Sequence, residues 1–528
     1  MSRPTTLATN GMVASPHYLA SAAGLRVLER GGSAMDAAIA ANAVLTVVYP
    51  DQTAIGGDCF FIAYDAASGK TFAYNGSGPA SNHADPDGLR GQGYTAMPAK
   101  GGPTVTVPGT IDAWFAGHDR FGKLEMSELL SSAISLARDG FPVSSRLAAV
   151  FQRDVDLINS WPGLAAIFFA GGTIPAAGDR LRLTALAASL QKIATNGRDV
   201  FYGGHIADEI SRSVQAAGGW IATDDLAGYK GEWVDPVRTT YRGVDVLTIP
   251  PNSQGVTVQI ALKLIEGIDL RSLTWGSADH IHPLVEARKR AYAVRDAKFG
   301  DPRFIDIDLG TLLSDSAIAN LWADYNPELA AAGPYTIAGD TVYLCAVDRD
   351  GNAVSLIQSL FSNFGSAVVA GDTGIILQNR GSFFSLVEGS PNELLPGKRT
   401  LHTLMPNMLM KDDRLFGPIG TQGGDPQAQI NLQLMTNVID FGMEPQVAIE
   451  SPRWISGGPG GTLPYQLLLE SGFPDSTPAL LGARGHEITL IGPWNPDAGH
   501  AQMILVDEAR GVLQGGADPR ADGTADGY

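Results

Sequence analysis

Residues Gly339 to Gly365, GDTVYLCAVDRDGNAVSLIQSLFSNFG, constrain this chain more than any other stretch. Val342, Leu344 and Ala346 alternate with Tyr343, Cys345 and Val347, DRDGN supplies a turn, and AVSLIQSL runs back. That pattern predicts a β-hairpin and commits this part of the chain to a sheet. Asp340-Thr341 stands at its head. Cutting the bond between those two residues would leave Thr341 with a free α-amine beside its own hydroxyl, a base and a nucleophile on one residue. Periodicity alone equally allows a threonine placed there for β-propensity.

A chain of 528 residues ordinarily fills about three domains, although α/β chains often weave long stretches into one unit. The net charge of −18, with no run of Lys or Arg, argues against nucleic acid or an anionic membrane surface as the main partner. It leaves a small substrate open, because one local arginine can dominate a pocket. Two cysteines, Cys59 and Cys345, form no disulfide framework and no CxxC, and their apolar neighbours suit packed thiols. The N-terminal stretch has no basic and apolar leader pattern, and no run approaches the length of a membrane helix, so a cytoplasmic protein is expected.

HYLASAAGLRVLER has helical spacing and stops at Gly31-Gly32. SAMDAAIAANAVLTVVYP follows with a Ser33 cap, Asp36 in its first turn and enough alanine for close packing. FFIAY and TFAYN read as paired strands after Gly56-Gly57, and MPNMLMKDDRLFGPIG as a second hairpin. Val105 to about Phe201 is expected to be mainly helical. HPLVEARKRAYAVRDAKFGDP reads as a long helix with its charges mostly on one side. From Leu309 to Gly339 periodicity is lost, and PELAAAGPYTIAGD looks solvent-accessible.

GTQGGDPQAQINLQLMTNVID reads as a glycine loop opening a helix, whose backbone N–H groups would suit an oxyanion, a phosphate or simply a turn. No metal is expected. Asp348, Asp350 and Asn352 imitate an EF-hand start, but Ala353 replaces the required glycine and Ser359 the glutamate. His280 and His282 suit capping or packing, with no third ligand at a recognisable spacing.

GLRVLERGGSAMDAAIAANAVLTVVYP, IGGDCFF, VPGTIDAW, DDLAGY, EARKRAYAVRDAKFGDP, DTVYLCAVDRDGNAVSL, the Gly423-Gly424 loop and GGADPRADGTADGY together resemble the γ-glutamyltransferase superfamily of N-terminal-nucleophile hydrolases, over nearly the whole length. The resemblance implies an α+β fold, a four-layer αββα sandwich. It also implies a precursor that cleaves itself between Asp340 and Thr341, giving a large subunit 1–340 and a small subunit 341–528 interleaved in one unit, with a heterotetramer as a possible assembly. Thr341 would be the nucleophile and its amine the base, Gly423 and Gly424 the oxyanion donors, and Ser359 a hydroxyl that orients Thr341. No cofactor is implied.

The departures from the pattern concern the substrate. The position matching the arginine that grips a glutamyl α-carboxylate in glutathione-cleaving members is Asn75. The residues matching those that hold the α-amino group are Phe361, Arg380 and Phe383, and a serine pair is matched by His402 and Thr403. An ammonium group would thus meet an arginine and two rings with no carboxylate to neutralise it. Arg380 offers a fork for a substrate carboxylate, with a structural ion pair as its alternative. NRGSFFS with RTLHTLMP resembles the subgroup that includes oxamate amidohydrolase, which implies a small carboxylate amide as substrate. A γ-glutamyl hydrolase or transferase, a glutaryl or β-lactam side-chain acylase, and a non-catalytic relative remain as alternatives.

Overall fold

The computed structural model describes residues 3–331, 340–457 and 466–528. Gly339, where the predicted hairpin begins, and residues 332–338 of the PELAAAGPYTIAGD stretch lie outside the described residues.

Two seven-stranded antiparallel sheets stack face to face. The first runs in the order Thr524–Gly527, Met12–Ser15, Asp340–Val347, Ala353–Phe361, Asp58–Asp65, Lys70–Gly76, Glu232–Val234. The second runs Thr6–Ala8, Val512–Ala517, Ala501–Asp507, Arg414–Thr421, Asn407–Lys411, Val244–Thr248, Val237–Tyr241. Strand alternation sorts the side chains into three cores, since successive residues point to opposite faces. Val342, Leu344 and Ala346 join Cys59, Phe61 and Ala63 against one helical layer. Tyr343, Cys345 and Val347 join Phe60, Ile62, Leu247, Met408, Met410 and Ile504 between the sheets. Val246, Leu409, Ile419, Met503 and Leu505 pack on the other helical layer. This is the four-layer αββα sandwich, with both cysteines free and buried in it.

The helix Ala34–Val48 explains its alanines, because every one of its residues is buried. Ser33 and Asp36 close a capping box at its start. A buried polar chain ties this helix to the central hairpin: Trp114 Nε1 donates to Asn42 (2.7 Å), Asn42 Nδ2 to Gln358 (3.2 Å) and Gln358 Nε2 to Thr110 (3.2 Å). Gln358 thereby fixes the strand on which Ser359 lies.

Two local expectations are corrected. The aperiodic stretch contains the helix Asp315–Trp322, capped by Ser314, and only Ile318 of it is buried, which is too little for a periodic signal. The long helix Ala278–Lys298 does not keep its charges on one solvated side, because Glu286, Arg288 and Arg295 are buried.

A buried ion network braces the C-terminal region. Asp518 accepts from Arg453 (2.6 Å), Arg520 (3.0 Å) and the Ala501 N–H (2.8 Å), while Arg453 also donates to the carbonyls of Ala498 and Gly499 (both 2.8 Å). Burial pushes the Asp518 carboxyl up, but Arg453, Arg520 and His500 pull harder and hold it at about 2. Asp518→Asn should cost about 3–5 kcal/mol in chemical denaturation, because it strands buried guanidinium charge. An unfolded aspartate titrates near ~3.9. The contribution of Asp518 is therefore fully present at neutral pH, fades as pH falls below about 4, and is lost as pH approaches the folded value of about 2.

Candidate active site

Thr341 is fully buried at the head of its strand. The register opposite it is irregular: Asp340 pairs with Phe361 and Val342 with Gln358, so Ser359 and Leu360 share the space facing Thr341. Bulges of this kind re-aim side chains. Thr341 Oγ1 donates to Ser359 Oγ at 3.3 Å and accepts from Gln427 Nε2 at 3.2 Å. Ser359 Oγ also accepts from the Phe361 N–H at 2.7 Å. Ser359 is itself buried, only 1% exposed. Gly57 permits this arrangement, because a Cβ there would lie 2.4 Å from the Ser359 carbonyl oxygen.

The glycine loop approaches from the second sheet. Gly423 and Gly424 take φ of 133° and 57°, a backbone that side chains rarely adopt. Among the described residues neither N–H has a protein acceptor. The loop is held from behind: Gln254 Nε2 donates to the Gly424 carbonyl (3.3 Å), Tyr292 to the Asp425 carbonyl (2.6 Å), and Arg295 to both Gln254 (2.7 Å) and the Asp425 carboxylate. Among the inward charges of the long helix, Arg295 thus braces the loop. Gln427 follows in the first turn of the helix Gln427–Ile439, which is how its amide reaches Thr341.

Arg380 lies on a short 3₁₀ turn and is 1% exposed. Its guanidinium carbon sits 4.1 Å from the centre of the Phe361 ring, and Nη1 donates to Thr403 Oγ1 at 3.1 Å. Nε and Nη2 find no partner among the described residues. Burial lowers the Arg380 pKa to about 9, against the pull of Asp58. Phe361 and Phe383 pack with ring centres 5.4 Å apart. Phe361 adopts φ of 80°, unusual for a residue with a Cβ, and such positions cost on the order of 1–3 kcal/mol.

His402 and Asn75 are placed differently from Arg380. His402 Nε2 meets Asp58 Oδ2 at 3.0 Å, while Nδ1 accepts from the Leu404 N–H at 3.2 Å, so the ring carries its proton on Nε2 and both nitrogens are engaged. Burial and the charges of Arg380 and Arg399 hold its pKa well below the ordinary value. The contact with Asp58 is therefore a hydrogen bond from a neutral ring and not an ion pair. Asn75 is consumed by its neighbours, donating to Asn252 (2.8 Å) and accepting from Ser77 (2.6 Å).

The expectation that no carboxylate faces this pocket is corrected by Asp58. It is buried, pairs in register with Ser359 on the adjacent strand, and lies close enough to Arg380 and Arg399 for both to lower its pKa. Burial outweighs them and raises it to about 7. Asp58 stands inside IGGDCFF, Gln427 inside GGDPQ, and Arg399 inside PGKRT, beside motifs visible in the sequence. Their position against the quoted glycines was the available signal.

Away from this site, His282, Glu286 and His486 bring potential ligand atoms within 4.8 Å of one another. Glu286 is already matched by Lys289 (2.7 Å) and Arg290 (2.8 Å), which leaves the group as a charge-balanced anchor. Among the described residues no helix is long and apolar enough to cross a membrane.

The profile described as Gamma-glutamyltranspeptidase matches residues 20–528. Among curated proteins, the chain is 43% identical over 524 residues to the glutathione hydrolase-like YwrD proenzyme of Bacillus subtilis, covering 99% of each. It is 35% identical over 535 residues to the oxamate amidohydrolase proenzyme of Klebsiella pneumoniae, again covering 99% of each. Among solved structures, the cephalosporin acylase from Bacillus halodurans superposes with a TM-score of 0.93 at 36% identity, covering 100% of this chain and 97% of that one.

Proposed function

The chain belongs to the gamma-glutamyltranspeptidase family of N-terminal-nucleophile amidohydrolases, and from that premise we propose that it is an autoprocessed threonine amidohydrolase acting on a small amide that bears a carboxylate. Oxamate is the first candidate substrate. The observation that carries this reading is Arg380, a buried guanidinium whose Nε and Nη2 have no partner among the described residues and which is linked to Thr341 through Phe361 and Ser359. A carboxylate satisfies such a fork.

In self-cleavage, Thr341 Oγ1 attacks the Asp340 carbonyl carbon and the C–N bond breaks, leaving an ester on Thr341 and a free amine. Water then cleaves the ester and releases the Asp340 carboxylate. The resulting pieces are residues 1–340 and 341–528.

In turnover the Thr341 amine takes the proton from Oγ1 as the oxygen attacks the substrate amide carbon. The Gly423 and Gly424 N–H groups receive the developing oxyanion, an interaction worth roughly 3–4 kcal/mol per donor. The amine then gives its proton to the leaving nitrogen, ammonia departs, and water activated by the same amine resolves the acyl ester. Gln427 and Ser359 hold Oγ1 from two sides. For oxamate the products are oxalate and ammonia.

Asp58 favours a second reading. A buried carboxylate beside Arg380 suits a head that carries both an ammonium and a carboxylate, as a γ-glutamyl compound does, and one relative's name is glutathione hydrolase-like. Parallel assays separate the two. Ammonia release from oxamate with a γ-glutamyl anilide left intact is the expected result; cleavage of the anilide with oxamate untouched reverses the ranking.

A further inference from the structure

We infer that Gln254 is a positioning residue that fixes the separation between the Arg380 fork and the oxyanion donors, and so sets the length of substrate the site accepts. The inference deepens the proposed function and rests on the reading of Arg380 as the carboxylate site.

Gln254 is fully buried in the loop between the strand Val244–Thr248 and the helix Val256–Ile265. Its amide fits in only one orientation. Arg295 can only donate, so the Gln254 oxygen faces Arg295 (2.7 Å) and the nitrogen faces two carbonyls, which can only accept. Those carbonyls belong to the two halves of the site: Nε2 donates to the Thr403 carbonyl at 3.0 Å and to the Gly424 carbonyl at 3.3 Å. Thr403 is the residue whose hydroxyl accepts from Arg380 Nη1, and Gly424 belongs to the loop that receives the oxyanion. One amide nitrogen therefore joins the residue that holds the fork to that loop.

Each end of the link is held independently. The Gln254 N–H donates to the His402 carbonyl (2.7 Å), the His402 N–H to the Asn252 carbonyl (2.7 Å), and Ser253 Oγ to the Leu404 carbonyl (2.6 Å), so residues 252–254 grip the chain on both sides of Thr403. The Gly424 carbonyl also accepts from the Gln427 N–H at 3.2 Å, and the Gln427 amide reaches Thr341. Behind the link the loop has no room to retreat, because a Cβ on Gly255 would lie 2.0 Å from Thr248 Oγ1.

A substrate must place its carboxylate at Arg380 and its amide oxygen at Gly423 and Gly424 at the same moment. With the two sites held at one separation, one spacing satisfies both, and a longer or shorter acid gives up alignment at one of them.

Ammonia release from oxamate, malonamate and succinamate, which grow by one methylene at each step, reads this separation, with acetamide as the control without a carboxylate. The wild type should favour one acid over the others by about tenfold or more in kcat/KM, the usual scale for one methylene. Gln254→Glu keeps the volume and the oxygen that Arg295 bonds but offers no N–H to the two carbonyls, and Gln254→Met removes every side-chain hydrogen bond. Either variant should still yield two pieces on a gel, and the preference among the acids should shrink about five- to tenfold, as expected for a lost hydrogen bond. A merely structural role lowers all three acids alike and leaves their ratios unchanged. Where neither glutamine variant folds and is cleaved, Thr403→Val tests the link from its other end, since it cuts the bond to Arg380 and leaves Gly424 untouched; it should shrink the same preference.

Unchanged ratios in these variants, or a wild type that turns over all three acids equally while sparing acetamide, overturn the role of Gln254 and leave the carboxylate reading standing. Wild-type turnover of acetamide as fast as of the acids, or of none of the acids, overturns that reading itself.

Discussion

Thr341→Ala is expected to leave the protein as one full-length band on a denaturing gel and to abolish turnover of every amide. The hydroxyl that attacks the Asp340 carbonyl is the same one that attacks substrate, so both reactions are lost together. Removing a covalent nucleophile costs about 10⁶-fold in rate where the group works as part of a set. Thr341→Ser keeps an oxygen at the position where Gln427 and Ser359 hold it and should still yield the two pieces, more slowly. Two bands from Thr341→Ala at the same cleavage point would end the mechanism. Turnover by an intact wild-type chain would end it as well, because the base is an amine that exists only after cleavage.

The second large effect separates recognition from chemistry. Arg380→Gln should lower kcat/KM for oxamate by about 100-fold or more, the cost of deleting one partner of a buried charge-assisted contact. Self-cleavage should proceed normally, because Arg380 touches Thr403 and Phe361 and makes no bond to Thr341. Arg380→Lys keeps the charge but loses the planar fork, and should recover only part of the activity. Full activity on oxamate in Arg380→Gln, read beside a gel showing normal cleavage, would move the carboxylate site elsewhere.

Much of the framework was legible because its causes are local. The hairpin around DRDGN, the capped alanine helix and the glycine loop each announce themselves within about a dozen residues, through period, cap and turn chemistry. Ser359 and Arg380 were reached only through the family resemblance, and the burial of the first and the nitrogens of the second left unpartnered among the described residues are tertiary facts.

The residues that escaped notice act across the chain. Asp58 gains its meaning from Arg380 and His402, more than three hundred residues later, and Gln427 from a threonine on the other sheet. Arg295 reads as one more surface charge on a helix until the fold turns it inward against Asp425. Asn75 stands where the family pattern has an arginine, and its amide is spent on Asn252 and Ser77. Sequence spacing reports what a residue can do, and the second sheet decides what it meets.

The strand order carries one more consequence. In the first sheet, the strands Thr524–Gly527 and Asp340–Val347 flank Met12–Ser15, so a cut before Thr341 produces two polypeptides that alternate through a single hydrogen-bonded ladder. Neither piece has a complete core to fall back on, since each inter-strand seam between them is shared. The covalent link then matters only during assembly, when it keeps the two halves at high effective concentration. Once it is gone, refolding becomes a meeting of two separate chains at whatever dilution the solution provides. The cut enzyme would persist through the height of its unfolding barrier, a structure made once and not easily remade.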